Sequence, residues 1–512
     1  MFAATCLCAC SVAWPSGPPA VANGCITSGT GIAADPYIVA TEANLFCIAN
    51  NASSYWTGNH FRQTADITLT SAWSISIGSS GTAFTGTYDG QGYSISGLSV
   101  LGSGSEDKGL FGVTNGATLT GVRVYGSVAG ASNTGGLIGQ ATSTTVTDCH
   151  ANVSIRGERS SMSFDSVGGL IGSMTSGTVT SSSSSGAVTI FGSGRYVGGL
   201  VGHLNTGTVA SSTASGDVRL DSATTPGPNA GEMVGGLVGR SYGSTIRESS
   251  ASGNVTRGYV RIGGLVGFQN GGTVERSFAT GTVSGEQEVG GLAGAVSQVG
   301  PAPNILRDVF ARGAVSASVG AGGGLIGGLS ASGAGPERAY ATGAVSGSGG
   351  LGGFAGSASG SATSSFWDTQ ATGQATAKSG GGAISGITGE TTALMKDIAT
   401  YQSAGWSISP SWAASGTTWG ICPRVNDGYP YLQALYTSDP CSGSAGLAPP
   451  PPWHQSYARA VEQTCLTGWN PSWAQWPSGG AGGFVCDRTL LYNSSTGVWD
   501  VRLGRKARPS RG

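Results

Sequence analysis

The sequence predicts an all-β chain wound into a right-handed parallel β-helix, a β-solenoid, and three observations point there. The first is a recurring Gly-Leu-x-Gly core. It appears at Gly109-Leu110, Gly136-Leu137, Gly169-Leu170, Gly199-Leu200, Gly236-Leu237, Gly264-Leu265, Gly291-Leu292 and Gly324-Leu325, and with Phe for Leu at Gly353-Phe354. Successive copies lie 27, 33, 30, 37, 28, 27, 33 and 29 residues apart, a spacing typical of stacked repeats. The second is the segment that follows each copy. Gly272-Thr273-Val274-Glu275-Arg276-Ser277-Phe278-Ala279-Thr280-Gly281-Thr282-Val283 has counterparts running from Gly207-Thr208-Val209 to Gly216-Asp217-Val218 and from Ser244-Thr245-Ile246 to Gly253-Asn254-Val255. These short β-branched runs, punctuated by Gly or Ser, read as strands joined by tight turns. The third is composition. Glycine supplies 91 of 512 residues, far above the usual share of about 7%, and it is periodic.

One repeat has too little apolar surface to fold alone. Stacked repeats bury like on like, with backbone ladders about 4.7–4.9 Å apart. The Gly-Gly pair before Leu marks a bend where a Cβ would clash or φ is positive. Adjacent Leu237 and Val238 cannot both face inward on a regular strand. Leu is expected inside, with one of the pair turned outward or placed at the bend.

Taken in order, residues 1–22 read as a truncated signal-like segment, apolar and ending in Ala20-Val21-Ala22 before Asn23. Its positive n-region is missing, and Pro15, Pro18 and Pro19 interrupt it. Residues 23–105 form an N-terminal cap and the opening rungs. Between Thr41 and Asn50, the residues Leu45, Ile48 and Ala49 fall on one helical face with Thr41 as N-cap. Such a helix covers the first rung and its unpaired backbone groups. Two alternating pairs, Ile67 with Leu69 and Ile75 with Ile77, mark the strands that follow. Residues 106–360 are the repeats, and 361–443 an aromatic-rich C-terminal cap. There Thr391 to Tyr401 reads as a second short helix, with Leu394, Met395, Ile398 and Tyr401 on one side. Trp406, Trp412, Trp419, Tyr429 and Tyr431 either plug the last rung or form a ligand platform, and the plug is expected. A Pro-rich linker (444–453) leads to a small Cys/Trp module (454–495) and a basic tail (496–512), read as a frayed terminus.

Three of the ten cysteines, Cys6, Cys8 and Cys10, fall in the signal-like segment. Six others form sequence-local pairs, Cys25–Cys47, Cys422–Cys441 and Cys465–Cys486, all outside the repeats. Bridges over such loops are worth about 3 kcal/mol each in the loop-entropy model. They imply an oxidising compartment, so the chain is expected to be secreted or extracellular, free or associated with the cell surface. Cys149 occupies the slot held by Ser182, Ser212, Ser249 and Ser277, and is expected as a small buried thiol in an internal column.

The Gly-Leu-x-Gly repeats with Ser277-Phe278-Ala279-Thr280-Gly281-Thr282-Val283 resemble the GLUG-motif repeat family of bacterial extracellular proteins. That family includes regions of filamentous-haemagglutinin-like adhesins and IgA-peptidase-like surface proteins. Asp35-Pro36-Tyr37-Ile38-Val39, Phe84 to Leu98, Phe366-Trp367-Asp368 and Asn426-Asp427-Gly428-Tyr429-Pro430-Tyr431-Leu432 extend the resemblance over roughly residues 28–434. It implies a β-helical scaffold and carries no activity by itself.

Chemistry-bearing patterns are sparse. The histidines are His60, His150, His203 and His454, so no His-Glu-x-x-His peptidase helix exists. Counting does not exclude a Ser–His–acid triad, but no Gly-x-Ser-x-Gly elbow sits between a strand and a helix. Glu106-Asp107, Glu286 and Glu288 are scattered on apparent turns, and Asp89 belongs to the Asp-Gly-Gln-Gly turn. No Lys or helix follows the glycines in P-loop order. No catalytic residue, cofactor or metal ligand is therefore expected. A net charge of −1 with 10% charged residues leaves no nucleic-acid footprint, and no run is long and apolar enough to span a bilayer.

The expected function is a non-catalytic adhesin or surface scaffold whose partner is an extracellular glycan or a host or matrix surface protein. The alternatives are a carbohydrate-active β-helix enzyme and a passive stalk presenting the C-terminal module. In that module Trp469, Trp473 and Trp476 are the candidate ligand contacts. One or two are expected to be buried against the Cys465–Cys486 bridge and one exposed to sugar rings.

Overall fold

The computed structural model describes residues 25–441, except 74, 102–106, 159–165, 192–194, 222–231, 298–302, 331–334, 380–383, 413–415 and 437, together with the backbone of 484–493 and 498–507. Residues 1–24, Cys465, Trp469, Trp473 and Trp476 lie outside the described residues, and of Cys486 only the backbone is described.

The chain is a parallel β-solenoid. One turn runs through Tyr196–Gly198, Val201–Asn205, Thr208–Ala210, Thr213–Ala214 and Val218–Leu220. Each of these strands lies in register with its counterpart one rung on: Val197 with Val234, Val201 with Val238, Thr208 with Thr245, Thr213 with Ser250, and Val218 with Val255. Parallel pairing of this kind continues from Tyr37–Val39 to Ile387–Glu390.

At the Gly-Gly-Leu corner both Leu237 and Val238 are buried. Leu237 sits on the bend itself, and regular strand resumes at Val238, which resolves the parity conflict. Leu110, Leu137, Leu170, Leu200, Leu265, Leu292, Leu325 and Phe354 fill the same interior column. The Leu265 carbonyl accepts from Leu237 N–H at 2.9 Å and Val238 N–H at 3.0 Å. The Leu237 carbonyl does the same for Leu200 and Val201 at 2.9 and 3.0 Å, and so on up the stack. Close approach is the reason for glycine here, since Gly235 and Gly236 do not have positive φ. A Cβ on Gly236 would lie 2.1 Å from the Gly264 carbonyl oxygen, and one on Gly264 would lie 2.1 Å from that of Gly291. The Ala of each Ala-x-Gly segment packs against the same corner: a Gly236 Cβ would also meet the Ala251 Cβ at 3.0 Å.

A second corner carries an internal serine ladder. The N–H groups of Cys149, Ser182, Ser212 and Ser249 donate to the Oγ of Ser182, Ser212, Ser249 and Ser277 at 3.1–3.2 Å. Each Oγ donates in turn to the carbonyl two residues before it, as Ser212 does to Ala210 at 2.8 Å. Cys149 starts the ladder. It is buried and unbridged, and burial pushes its thiol up to about 12, leaving it unreactive. The residues just before the ladder, Asp148, Ser181, Ser211, Glu248, Arg276, Asp308 and Arg338, all have φ between 44° and 53°.

The N-terminal cap is the helix Glu42–Asn50, with Thr41 and Asn44 forming a reciprocal capping box. Leu45, Ile48 and Ala49 are buried, as are Phe46 and Cys47 on the flank. Cys47 is bridged to Cys25. One expected pair fails, because Ile67, Leu69 and Ile77 point inward but Ile75 is 43% exposed. That stretch is held by isolated bridges and is not a regular strand. Trp73 fills the interior instead, 5.0 Å from Phe46.

The C-terminal cap corrects two expectations. Thr391–Tyr401 is not one helix. A 3-10 turn, Leu394–Lys396, is followed by the helix Ile398–Ser403, because extended Asp397 caps the second piece through Ala399 N–H at 3.0 Å. Met395 and Tyr401 are buried, whereas Leu394 is exposed. Nor do the aromatics plug the last rung, where Trp367 and Ile384 close the core. Trp406, Trp419 and Tyr429 fold back onto the outer face and cluster with Phe310, Tyr340 and Phe366. Phe278, Phe310 and Tyr340 stack there at 4.7 and 5.0 Å with their rings parallel to within 2°. Tyr431 is buried outside that cluster, and Trp412 is half-buried.

The Asn-Asp-Gly-Tyr-Pro turn fastens this cap. Asn426 accepts from Arg312 at 2.6 Å and donates to the Tyr340 hydroxyl at 2.7 Å, while Tyr429 donates to Asp368 at 2.7 Å. Cys422 is bridged to Cys441. Phe484–Asn493 and Val498–Ala507 pair as an antiparallel hairpin, so the stretch read as a frayed tail contains a strand.

We predict that Leu237→Ala costs about 2–5 kcal/mol through the cavity it leaves, and that Gly236→Ala costs about 3 kcal/mol through overpacking. Gly81→Ala, where a Cβ meets nothing within 4 Å, should be near neutral. Denaturation midpoints of the three variants check this ranking.

Candidate functional site

On the outside of the Gly-Gly-Leu corner, the outward side chains of the two flanking strands meet in a groove that follows the stack. One wall is set by register: His203, Arg240, Phe268, Ala295, Gly328 and Ser357 lie in line, one per rung. The facing wall carries Tyr196, Met233, Arg261 and Glu288. Glu286 and Glu288 are therefore strand residues, not turn residues, because the strand runs Val283–Gly290 without a break.

The first rungs of the groove are filled. The Tyr196 and His203 rings lie 4.8 Å apart. Burial, with Arg240 beside it, holds the His203 pKa down to about 4, so the ring is neutral at physiological pH. Arg240 lies over Tyr196 at 5.2 Å and donates to its hydroxyl at 3.2 Å. One rung on, Arg261 covers the Phe268 ring at 4.7 Å and donates to Glu288 at 3.2 Å. Beyond this pair the wall residues shrink to Ala295, Gly328 and Ser357, and a cavity of about 450 Å³ opens. Its rim carries the exposed hydroxyl residues Ser330, Ser357 and Ser359.

Two other places bring reactive groups together. On the outer face, His150 Nδ1 lies 2.9 Å from Ser183 Oγ, and its Nε2 lies 2.9 Å from Asp148 Oδ1. The hydrogen bond from His150 holds the Asp148 carboxyl below its usual range. The order matches a nucleophile relay, but the neighbouring N–H groups are spent on the rungs. Those of Cys149, Ser183 and Ser185 donate to Ser182 Oγ, the Cys149 carbonyl and the Ala151 carbonyl at 3.1, 2.9 and 2.9 Å. Acyl transfer needs two such donors aimed at the oxyanion. The trio therefore works as a polar staple across neighbouring rungs.

In the C-terminal cap, a cavity of about 500 Å³ is lined by Glu390 and Asp397, but Asp397 is already engaged in capping its helix. Among the described residues, no group of three or more His, Cys, Asp or Glu side chains could hold a metal ion. None of the helices there is long and apolar enough to cross a membrane.

Sequence reasoning placed the ligand contacts at Trp469, Trp473 and Trp476, which lie outside the described residues. It missed the groove. Tyr196, His203, Arg240, Arg261 and Phe268 differ from rung to rung, so no repeat pattern exposes them. A signal was present: each sits one residue before the Val-Gly or Ile-Gly, or two after the Leu-x, of its corner.

Comparison with known proteins agrees with the repeat reading. The family model of the GLUG motif matches residues 130–156, 193–219, 230–256 and 258–284. Halomucin of Haloquadratum walsbyi (strain DSM 16790 / HBSQ001) is 34% identical over 131 residues, covering 21% of this chain and 1% of that protein. The chain thus spans a very small part of that relative's length. Among solved structures, an IgA1 Protease chain aligns with a TM-score of 0.34 and 16% identity, over 59% of this chain and 21% of that one.

Beside the groove, Glu232 is buried next to Met233, with Oε2 accepting from Tyr259 N–H at 3.0 Å. Burial, reinforced by Glu286, raises its pKa from 4.5 to about 7. Between those two values the folded chain keeps a proton that the unfolded chain has released. Stability therefore falls as pH rises through that window and is level above it. Glu232→Gln should leave stability at pH 4 nearly unchanged and raise it at pH 8, by on the order of 3 kcal/mol. Thermal melts of both proteins across this pH range check the sign.

Proposed function

We propose that the chain is an extracellular, non-catalytic β-helix that acts as an adhesin or surface scaffold and makes contact through its outer groove. The observation that carries this reading is the open end of that groove, a cavity of about 450 Å³ on a rigid stack. Clefts of roughly this size are where small ligands are held. Two disulfides suit an oxidising compartment. The GLUG motifs, and the stretch shared with a protein named as a mucin, support a surface setting. The N-terminal helix, packed on the first rung, keeps that end from adding further chains edge to edge.

The competing reading, a carbohydrate-active enzyme, draws on the cap cavity with Glu390 and Asp397. Paired carboxylates are what glycoside hydrolysis requires. We predict that the purified chain binds on glycan or matrix-protein arrays and releases no reducing ends from polysaccharides. Turnover that is lost in Glu390→Gln would transfer the function to the enzyme class.

A further inference from the structure

We infer that the open end of the groove binds a neutral oligosaccharide lying parallel to the solenoid axis, a ligand class that rests on the adhesin-or-scaffold reading. The argument starts from what closes the groove and what opens it. Bulky side chains occupy the rungs of Tyr196, Met233 and Arg261, and Phe268 forms the end wall. Past that wall the in-register positions are the small residues Ala295, Gly328 and Ser357. The Glu288 side chain leans over Gly328, where a Cβ would come within 2.9 Å of its carboxylate, and the remaining space stays open. The cavity lining draws on successive rungs, from Phe268 through Ala295 and Gly328 to Ser357, and so runs along the axis.

Its repeat is set by the strand spacing of about 4.8 Å. A pyranose ring is comparable in length to one such step, so an extended glycan places one sugar on each rung to within the twist of the sheet. A bound peptide strand running along the axis would meet rungs at a different interval, about 3.3 Å per residue.

The chemistry of the walls fits the same occupant. Ser330, Ser357 and Ser359 present hydroxyls, and hydroxyls both donate and accept. Arg261 and Glu288, paired at 3.2 Å and each about one-third exposed, add a fork of donors and a carboxylate acceptor at the closed end. Vicinal sugar hydroxyls bond to that combination without any net charge being required. Because the one cation of the lining is matched by the one anion, a polyanionic strand gains nothing from entering. Phe268 and Ala295 supply the apolar contact on the groove side that the C–H face of a pyranose needs, whereas Leu329 and Ala358 pack against the solenoid core.

The test is calorimetric titration of the full chain with cello- and chito-oligosaccharides of about three to six rings, at low salt and at about 1 M salt. Ser357→Tyr, which fills the cavity from an exposed outward position, and Glu288→Gln are the variants. The expected result is binding by the wild type that changes less than about twofold with salt and weakens at least about tenfold in each variant. Unchanged thermal melts would show that both variants are folded. Oligosaccharide binding that survives both substitutions, or binding abolished by salt, overturns the site. If the wild type binds array glycans or matrix proteins equally with and without Ser357→Tyr, the groove assignment is wrong while the adhesin reading stands. Absence of any binding by the wild type, on arrays and in titration, removes both.

Discussion

The close approach of neighbouring rungs at the Gly-Gly-Leu corner is the constraint on which the rest of the structure depends. There the backbones lie so near that a Cβ on Gly199, Gly236 or Gly264 would fall 2.0–2.1 Å from the next rung's carbonyl oxygen. That contact turns Leu237 into the core while Val238 also points inward. It also lets one carbonyl accept two N–H groups per rung. Each such hydrogen bond adds only about 0.5–1.5 kcal/mol net. Their worth lies in pairing the buried N–H groups of Leu200, Val201, Leu237 and Val238 along a column that follows the stack. The groove is a consequence of the same bend, since folding the corner inward brings the outward side chains of its two strands face to face.

The second corner solves the same problem with side chains. An αL residue turns the chain, and the following Ser supplies an acceptor for the rung before it and a donor to its own turn. Where charged residues occupy the αL position they pair along the axis. Arg276 reaches Glu248 at 3.1 Å, and Arg338 reaches Asp308 at 2.7 Å. Asp308 is buried beneath the cap, where Trp419 also donates to it at 2.9 Å, so this ladder helps to seat the cap. The cap is placed by chemistry on the flank of the solenoid, not by the geometry of its end.

The repeating parts of the fold were legible because repetition amplifies a weak signal. Leu237 alone says little, whereas nine corners in one column fix an interior. The Cys149 slot was readable for the same reason, since four serines defined what the position is. What was not legible occurs once. Ile75 alternates correctly with Ile77, but the segment is not a strand, and Trp73 wins the interior by volume. Asp397 looks like an ordinary helix residue, but its extended backbone ends one turn and its side chain caps the next helix. The groove was hidden because its lining depends on which outward residues are large and which are small in successive rungs. That is a property of register, which only the folded stack displays.

Native-state hydrogen exchange read at individual amides tests the central claim most directly. If the corner ladder is what holds the rungs together, the N–H groups of Leu200, Leu237 and Leu265 exchange last, in step with one another, through opening of the whole stack. Exchange of those amides as fast as that of Gln91 and Gly92 in the exposed Asp-Gly-Gln-Gly turn would contradict it.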